Sequence, residues 1–356
     1  MGPVTAPLLA EPGETVWLRV DVGLPIAARR EAARLARRLG IGEDRVASVE
    51  IVATEAATNL QRHAVDGALV LRVAMDGEHA ALDILSTDTG PGIADLRAAL
   101  RDGTSSAGTL GVGLGAIVRL ADAFDIHTLA GRGTALLARF HADGRGAAAC
   151  ASSGVEIGGL TRPIGGEEMC GDTWAVRYAD TPAEGAEATT PLLAMMCDGL
   201  GHGPQAARAG EVAREAFRTS RGTRPQAVLE DMHRALRGTR GAAVAVVRVD
   251  FPGRQIEFAG VGNTTTCLVS DGRRSSLLSS PGIVGAHLPR ARSVFADAAP
   301  GAVLVMHSDG LNDRWSPSSF PGLFARTPTV VAAQILRDAG ARRDDIGVLV
   351  LKAATP

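Results

Sequence analysis

The sequence predicts an α+β protein of two domains. The chain has 356 residues, more than a single hydrophobic core usually organises. Its first part sets long helical patterns beside β-hairpins, whereas its second part is dominated by short apolar runs separated by turn signals. A hydrophobic content of 46% with 21% charged residues fits a globular chain.

In the first part, "LPIAARREAARLARRLG" places Ile26, Ala33, Leu35 and Leu39 near helical spacing, with Gly40 as the stop. "GEDRVASVEIVATEAATNLQRHA" reads as a second, longer helix. "ALVLRVAMDGEHAALDILSTD" reads as two strands around Asp76-Gly77, a hairpin dipeptide. A loop, a variable stretch and a glycine-rich segment then lead into the helical pattern "VGLGAIVRLADAF". "FDIHTLAGRGTALLARF" closes the unit as a hairpin turning at Gly131-Arg132-Gly133, ending near His141.

Residues 142–156 are small, polar and glycine-rich and read as a linker. Seven strands follow: "TWAVRYA", "PLLAMMCD", "AAVAVVRVD", "RQIEFAGVG", "TTTCLVS", "AVLVMHSD" and "IGVLVLKA". Helices at 204–219 and 225–237 separate the second strand from the third, and one at 328–339 precedes the last. The expected division is 1–141, a linker at 142–156, and 157–356.

Composition removes several classes of function. The 37 basic and 39 acidic residues nearly cancel, no basic tract stands out, and aromatics are 3%, so no nucleic-acid partner is expected. The apolar runs are too short and too broken for a membrane span. "MGPVTAPLLAEPGE" lacks the basic and apolar regions of a signal peptide, and Ala6 spoils a myristoylation match. Cys150, Cys170, Cys197 and Cys267 show no C-x-x-C spacing, which argues against zinc and against a disulfide framework. A reduced, cytoplasmic protein without a membrane partner is the expectation.

Two chemistries remain. Glu55 and Asn59 stand four residues apart on one face of the second helix. "DTGPG" puts Asp88, Gly90 and Gly92 directly after an apolar strand, where glycines let backbone approach a flat ligand. Gly111, Gly113 and Gly115 open a helix, whose free N–H groups favour phosphate. Singly these are a solvated helical stripe, an Asp-initiated turn and a flexible loop. Their order in one unit resembles the GHKL ATP-binding fold over roughly residues 15–141. The resemblance implies that Asn59 ligates Mg2+ bridging the phosphates of ATP and that Asp88 accepts the adenine amino group. It further implies that Gly90 and Gly92 shape the adenine pocket, that the Gly111–Gly115 loop holds the phosphates, and that Glu55 is the general base. Only 18 residues lie between Gly92 and Gly111, and the first histidine is His63, so no upstream phosphoacceptor helix is present. "EAATNLQRHA" and "LGVGLGAIVRLADAFDIHT" look most like the serine/threonine switch kinases of bacterial sigma-factor regulation, of the stressosome type.

The second half carries four acid-centred signals: "CGDTW" (Asp172), "CDGLGHG" (Asp198), "HSDGLND" (Asp309) and "RRDDIGVLVL" (Asp344, Asp345). An Asp-Gly alone is a turn; several acids at strand ends form a hard oxygen set suited to Mg2+ or Mn2+. This set resembles the PPM family of metal-dependent serine/threonine phosphatases, in its SpoIIE-like branch, over about residues 157–352. By that likeness Asp172, Asp198, Asp309 and Asp344 ligate metal, Gly199 does so through its carbonyl, and the nucleophile is a metal-activated water. Asp344 is favoured over Asp345 by motif position. Cys170 and Cys197 read as buried small hydrophobes, and His202 as part of a loop. The sequence departs from the family in having Gly347 where relatives carry Thr or Ser.

The two resemblances together imply a GHKL-type α/β sandwich, with helices on a mixed sheet, followed by a PPM-type α-β-β-α sandwich. They imply a switch protein in which a metal-dependent phosphoserine/phosphothreonine phosphatase is fused to a serine/threonine kinase-like domain. The implied substrate is a STAS-domain antagonist or stressosome-type protein. A sigma factor or downstream phosphatase is the further partner class, and a homodimer an admissible assembly. The rival expectation keeps the phosphatase and makes the first domain a non-catalytic, ATP-gated anti-sigma or partner-binding module that sequesters a sigma factor or another partner.

Overall fold

The computed structural model describes residues 8–76, 79–100, 113–143, 154–165, 167–181, 186, 189–289, 292–341 and 343–354. The chain runs through β1 (Leu8–Ala10), β2 (Thr15–Arg19), α1 (Leu24–Arg38), α2 (Glu43–His63), β3 (Ala68–Asp76), β4 (His79–Asp88), α3 (Leu96–Ala99), α4 (Leu114–Leu120), β5 (Ala123–Leu129) and β6 (Gly133–His141). It continues through β7 (Val155–Arg162), β8 (Asp172–Tyr178), β9 (Leu192–Gly199), α5 (Pro204–Thr219), α6 (Pro225–Leu236), β10 (Ala242–Asp250), β11 (Gln255–Val261), β12 (Thr265–Ser270), β13 (Arg273–Leu277), β14 (Val294–Asp297), β15 (Val303–His307), α7 (Pro328–Ala339) and β16 (Ile346–Ala353). No described helix is long and apolar enough to cross a membrane.

The chain forms two compact units, neither continuous in sequence. One comprises Gly13–Ala149 and Ala325–Asp338; the other comprises Met1–Pro12, Cys150–Phe324 and Ala339–Pro356. Relative to the limits read from the sequence, β1 goes with the second half and α7 with the first.

In the first unit the strands form one sheet in the order β2-β3-β4-β6-β5. The sequence suggested a mixed sheet, but all four pairings are antiparallel, since two hairpins supply four of the strands. Alternation sends Leu69, Leu71, Leu82, Ile84, Leu136, Ala138 and Phe140 to the face covered by α1, α2 and α4. On α1 the buried stripe is Leu24, Ala28, Ala32, Leu35 and Ala36. Ile26, expected on that stripe, is 77% exposed, because two residues from Leu24 is the far side of the helix. Gly40 ends the pattern at φ +77, with Ile41 N bonding back to Ala36 O at 3.0 Å.

The opposite face of this sheet carries a row of charge. Register sets Arg72 opposite Asp83 and Asp83 opposite Arg139. Asp83 is fully buried and accepts from Arg72 Nη2, from Arg139 Nε (2.6 Å) and from Arg139 Nη2 (3.0 Å). Burial alone would raise its pKa, but the two guanidinium groups outweigh burial and hold it at about 2. α7 packs over this face: Arg72 Nη2 reaches Thr329 Oγ1 at 3.4 Å, and His127 Nδ1 lies 3.3 Å from Gln334 Oε1.

The second unit is a sandwich of two antiparallel sheets, β1-β8-β9-β10-β11-β14 and β13-β12-β15-β16-β7. Trp174, Val176, Met196, Val247 and Phe258 from one sheet meet Leu268, Leu304, Met306, Leu349 and Leu351 from the other. The outer face of the first sheet, with Met195, Val244 and Val246, is covered by Ala213 and Phe217 of α5 and by Leu229 and Met232 of α6. α5 and α6 each begin with proline, whose missing N–H costs nothing in a first turn.

Asp83→Asn leaves the buried Arg72 and the half-buried Arg139 without a counter-charge, and should cost about 3–5 kcal/mol of stability in urea unfolding; removing the surface Arg34 serves as the silent control. Because the folded pKa of Asp83 lies below its ordinary 3.8, its contribution is full above about pH 4 and is lost as pH falls through about 2. The wild type should therefore lose stability across that window more steeply than Asp83→Asn.

Candidate functional site

Strand pairing builds the carboxylate site from the ends of two stacked sheets. Asp172 opens β8, Asp198 lies near the end of β9, and the register sets the two directly opposite each other. Directly opposed residues share a face with their Cβ atoms about 5 Å apart. From the other sheet, Asp309 follows β15 and Asp344 precedes β16; these strands are paired, and Ser308 N bonds Gly347 O at 3.0 Å. Gly199 is buried beside Asp198, and its N–H donates to Gly171 O at 3.2 Å.

Electrostatics shows that the acids feel one another. Asp172 is 4% exposed, and burial, then the charge of Asp198, push its carboxyl well above the usual range. Asp198 is raised to about 7 by burial and by Asp309 and Asp344. Asp309 is raised by burial and then by Asp344. Three carboxyls raised by burial and by neighbouring acids, with Asp344 among those neighbours, form a donor set that a cation would suit.

The donor set fits a hard divalent ion. Asp172 Oδ2 is buried with no hydrogen-bond partner, an arrangement that a cation relieves. Among the described residues, no three acidic, His or Cys side chains close into a ready-made cage. The acids lie near enough to repel without being drawn together.

Asp345 has a different part. It is 3% exposed, its Oδ1 accepts from Ile164 N and its Oδ2 from Gly171 N, both at 2.7 Å. Both oxygens are thus engaged in holding the loop that carries Asp172. Asp344 Oδ1 accepts from Asp345 N at 3.0 Å, and Asp344 is the acid whose charge reaches Asp198 and Asp309.

Two side chains that sequence reasoning missed belong here. Asn263 Nδ2 donates to Asp309 Oδ2 at 2.5 Å from the loop after β11. Ser308 is buried, its hydroxyl accepts from Gly347 N at 2.9 Å, and it favours the charged form of Asp172 against the effect of burial. A Cβ at Gly347 would lie 3.0 Å from Met196 Sδ and 3.2 Å from Asp172 Cβ, so a larger residue would crowd the site and Ser308 supplies the hydroxyl. An acid or amide immediately after an apolar strand was the available signal for Asn263; nothing local marked Ser308. Burial pushes the Cys170 and Cys197 thiols up, which makes both poor nucleophiles. His202 is exposed, with Nδ1 3.4 Å from Glu167 Oε1.

The first unit presents the second constellation. Glu55 and Asn59 lie half-buried on α2, and burial raises the Glu55 carboxyl. Asp88 ends β4, and its Oδ1 accepts from Gly90 N at 2.7 Å. Burial raises its carboxyl, against the lowering effects of the Gly90 N–H and Arg337. A Cβ at Gly90 would sit 2.8 Å from Asp88 Oδ1, and Gly92, at φ +71, would drive one into the Leu129 carbonyl. Glycine at both positions is required by the close approach of the chain's own backbone, to His63 O at Gly90 and to Leu129 O at Gly92. Gly113 caps α4 and Gly115 is buried in its first turn, whereas Gly111 lies outside the described residues.

Comparison with known proteins bears on both constellations. A family model described as a histidine kinase-like ATPase domain matches residues 22–140, and the stage II sporulation protein E (SpoIIE) model matches residues 189–354. The serine/threonine-protein kinase RsbT of Bacillus subtilis (strain 168) is 35% identical over 113 residues, 32% of this chain and 85% of RsbT. The phosphoserine phosphatase RsbX of the same organism is 24% identical over 148 residues, 41% of this chain and 70% of RsbX. A chain solved in work on the bacterial stressosome as a modular system controlling secondary messenger signalling is 31% identical. The match covers 56% of this chain and 99% of that one, with a TM-score of 0.50.

Asp345→Ala strands two backbone amides and should cost at least about 2 kcal/mol in urea unfolding of the metal-free chain. Asp344→Ala removes a like charge instead; its metal-free midpoint should be unchanged or higher, whereas Mn2+ should raise the melting temperature of the wild type and not that of the variant.

Proposed function

Because the chain belongs to the histidine kinase-like ATPase family, as a fusion of an RsbT-like domain with a SpoIIE-type PPM phosphatase domain, we propose that it is a two-way phosphorylation switch. The phosphatase is of the PPM serine/threonine class. In this reading Asp172, Asp198, Asp309, Asp344 and the Gly199 carbonyl hold Mn2+ or Mg2+. When bound, the metal supplies an activated water and a clamp on the phosphoryl oxygens. The chain's own residues do the rest: Asp345 fixes the Asp172 loop, Asn263 orients Asp309, and Ser308 favours the charged form of Asp172. The observation that carries this reading is the facing pair Asp172 and Asp198, with Asp172 Oδ2 buried and unpartnered.

The first unit binds ATP in this proposal. Asp88 would receive the adenine amino group beside Gly90 and Gly92, and Asn59 would hold the metal that accompanies the phosphates. Gly113 and Gly115, at the start of α4, would meet the phosphates, and the resemblance adds Gly111, which lies outside the described residues. Glu55, with its carboxyl raised by burial, takes the proton of the substrate hydroxyl. The protein substrate is a STAS-domain regulator of a sigma-factor pathway in the cytoplasm. The resemblance to RsbT and RsbX supports that partner, because both likenesses point to one regulatory circuit.

The phosphatase half is tested by phosphate release from a phosphoserine peptide with Mn2+. Release should be metal-dependent in the wild type and fall to background in Asp198→Ala of intact fold. Absence of release from the wild type, on the peptide and on phosphorylated STAS proteins encoded beside it, overturns the proposal.

The kinase half is tested separately. Glu55→Gln should slow phosphotransfer from ATP to a STAS serine by about 100-fold or more while ATP binding persists. A wild type that binds ATP and transfers nothing leaves the first unit as an ATP-gated binding module.

A further inference from the structure

We propose that Arg337 is a positioning residue for the nucleotide site: it fixes the strand end that carries Asp88, so that base recognition depends on the segment 325–338. The inference rests on the reading of Asp88 as the acid that receives the base. The sequence supplies this segment between Asp309 and Asp344, far from the motifs of the nucleotide site.

α7 is buried at every residue from Pro328 to Leu336. Polar contacts fasten it along its length. At its start Asp125 Oδ2 accepts from Thr327 N at 2.7 Å and from Thr327 Oγ1 at 2.8 Å. In its middle Gln334 meets His127 at 3.3 Å, and at its end Arg132 Nη2 meets Asp338 Oδ2 at 3.1 Å. The helix therefore has one place on the sheet.

That place delivers Arg337 to the rear of Asp88. The Arg337 side chain is 5% exposed, and its Nη1 donates to the backbone carbonyl of Asp88. Its Nε donates to Asp338 Oδ1 at 3.0 Å, and Nη2 pairs with the same carboxylate. Room for the guanidinium comes from Gly133, on the neighbouring strand: a Cβ there would lie 2.7 Å from Arg337 Nη1 and would collide with the Asp88 carbonyl. Asp88 is thus held at both ends, its carbonyl by Arg337 and its carboxylate by the Gly90 N–H. A charge-assisted bond to that carbonyl sets the direction in which the carboxylate faces the base. The planar fork is needed to serve the carbonyl and Asp338 together, which a lysine ammonium does less well.

The full-length chain is titrated with ATP and with ITP, whose base carries an oxygen where adenine carries the amino group. The wild type should prefer ATP. Arg337→Ala should weaken ATP by about tenfold and leave ITP nearly unchanged, so that the preference shrinks. Arg337→Lys should fall between the two, and it carries the test alone if the alanine variant unfolds early in a thermal melt. A purely structural role would weaken both nucleotides alike; that result, or an unaltered preference in both variants, overturns the proposal. Asp88→Ala separates the two levels. If Asp88→Ala abolishes the preference and the Arg337 variants do not, the positioning role fails alone. If the wild type or Asp88→Ala shows that Asp88 sets no preference, the base reading fails with it.

Discussion

The register of β8 and β9 sets Asp172 against Asp198, two like charges on facing strands, one of them almost wholly buried. Such a pair opposes folding, because burial and mutual repulsion both disfavour the charged forms. The sandwich must therefore gain elsewhere what it loses here. One core lies between the sheets and another between the first sheet and its two helices, and together they hold β8 and β9 in register. Near the site the same job falls to directed bonds. Asp345 ties down Ile164 and Gly171, and Ser308 accepts from Gly347, so the strand ends cannot spread to relieve the charge. A divalent ion is the chemical relief that such a frame leaves available.

The same frame explains why two adjacent aspartates have different work. In "DDIG", Asp345 lies one residue before β16 and is buried, while Asp344 is part-exposed in the preceding turn. Successive side chains of an extended chain point to opposite sides. One therefore goes to the backbone amides of the Asp172 loop and the other toward Asp198 and Asp309. The identity of the residues is the same; the pleat separates the one that holds the loop from the one that faces the other acids.

Much of this was legible in the sequence, for reasons that can be stated residue by residue. Helices 204–219 and 328–339 coincide with α5 and α7, since proline starts each and apolar spacing runs to a clear end. Asp172, Asp198 and Asp309 could be picked out because each adjoins an apolar strand. β7 was not legible: Gly158 and Gly159 interrupt its pattern, and the reason for Gly159 is tertiary, since a Cβ there would lie 2.6 Å from the Trp174 ring. β1 is three residues whose partner, β8, is far along the chain. Ile26 was misplaced because Leu24 and the alanines, not the largest residue, define the buried stripe of α1. Arg337 was invisible for the same reason as β1: its partner, the Asp88 carbonyl, is supplied by a distant strand and carries no side-chain signature.

Those last cases share a cause that bears on how the chain can be divided. A cut at the linker read from the sequence removes α7 from the first unit. The face of the sheet beneath it would then open on Arg72 and Asp83, which are 5% and 0% exposed in the intact chain. Asp83 would keep its two guanidinium partners but gain water, which weakens their attraction. His127 and Asp125 would lose Gln334 and Thr327. The same cut removes β1 from the edge of the phosphatase sheet and leaves the β8 edge unpaired. The motif-bearing segments are continuous in sequence, yet the units that fold around them are not. An excised half is for that reason a different object from the same residues in the whole chain, and the carbonyl of Asp88 in particular is held by a residue, Arg337, that the sequence places among the phosphatase motifs.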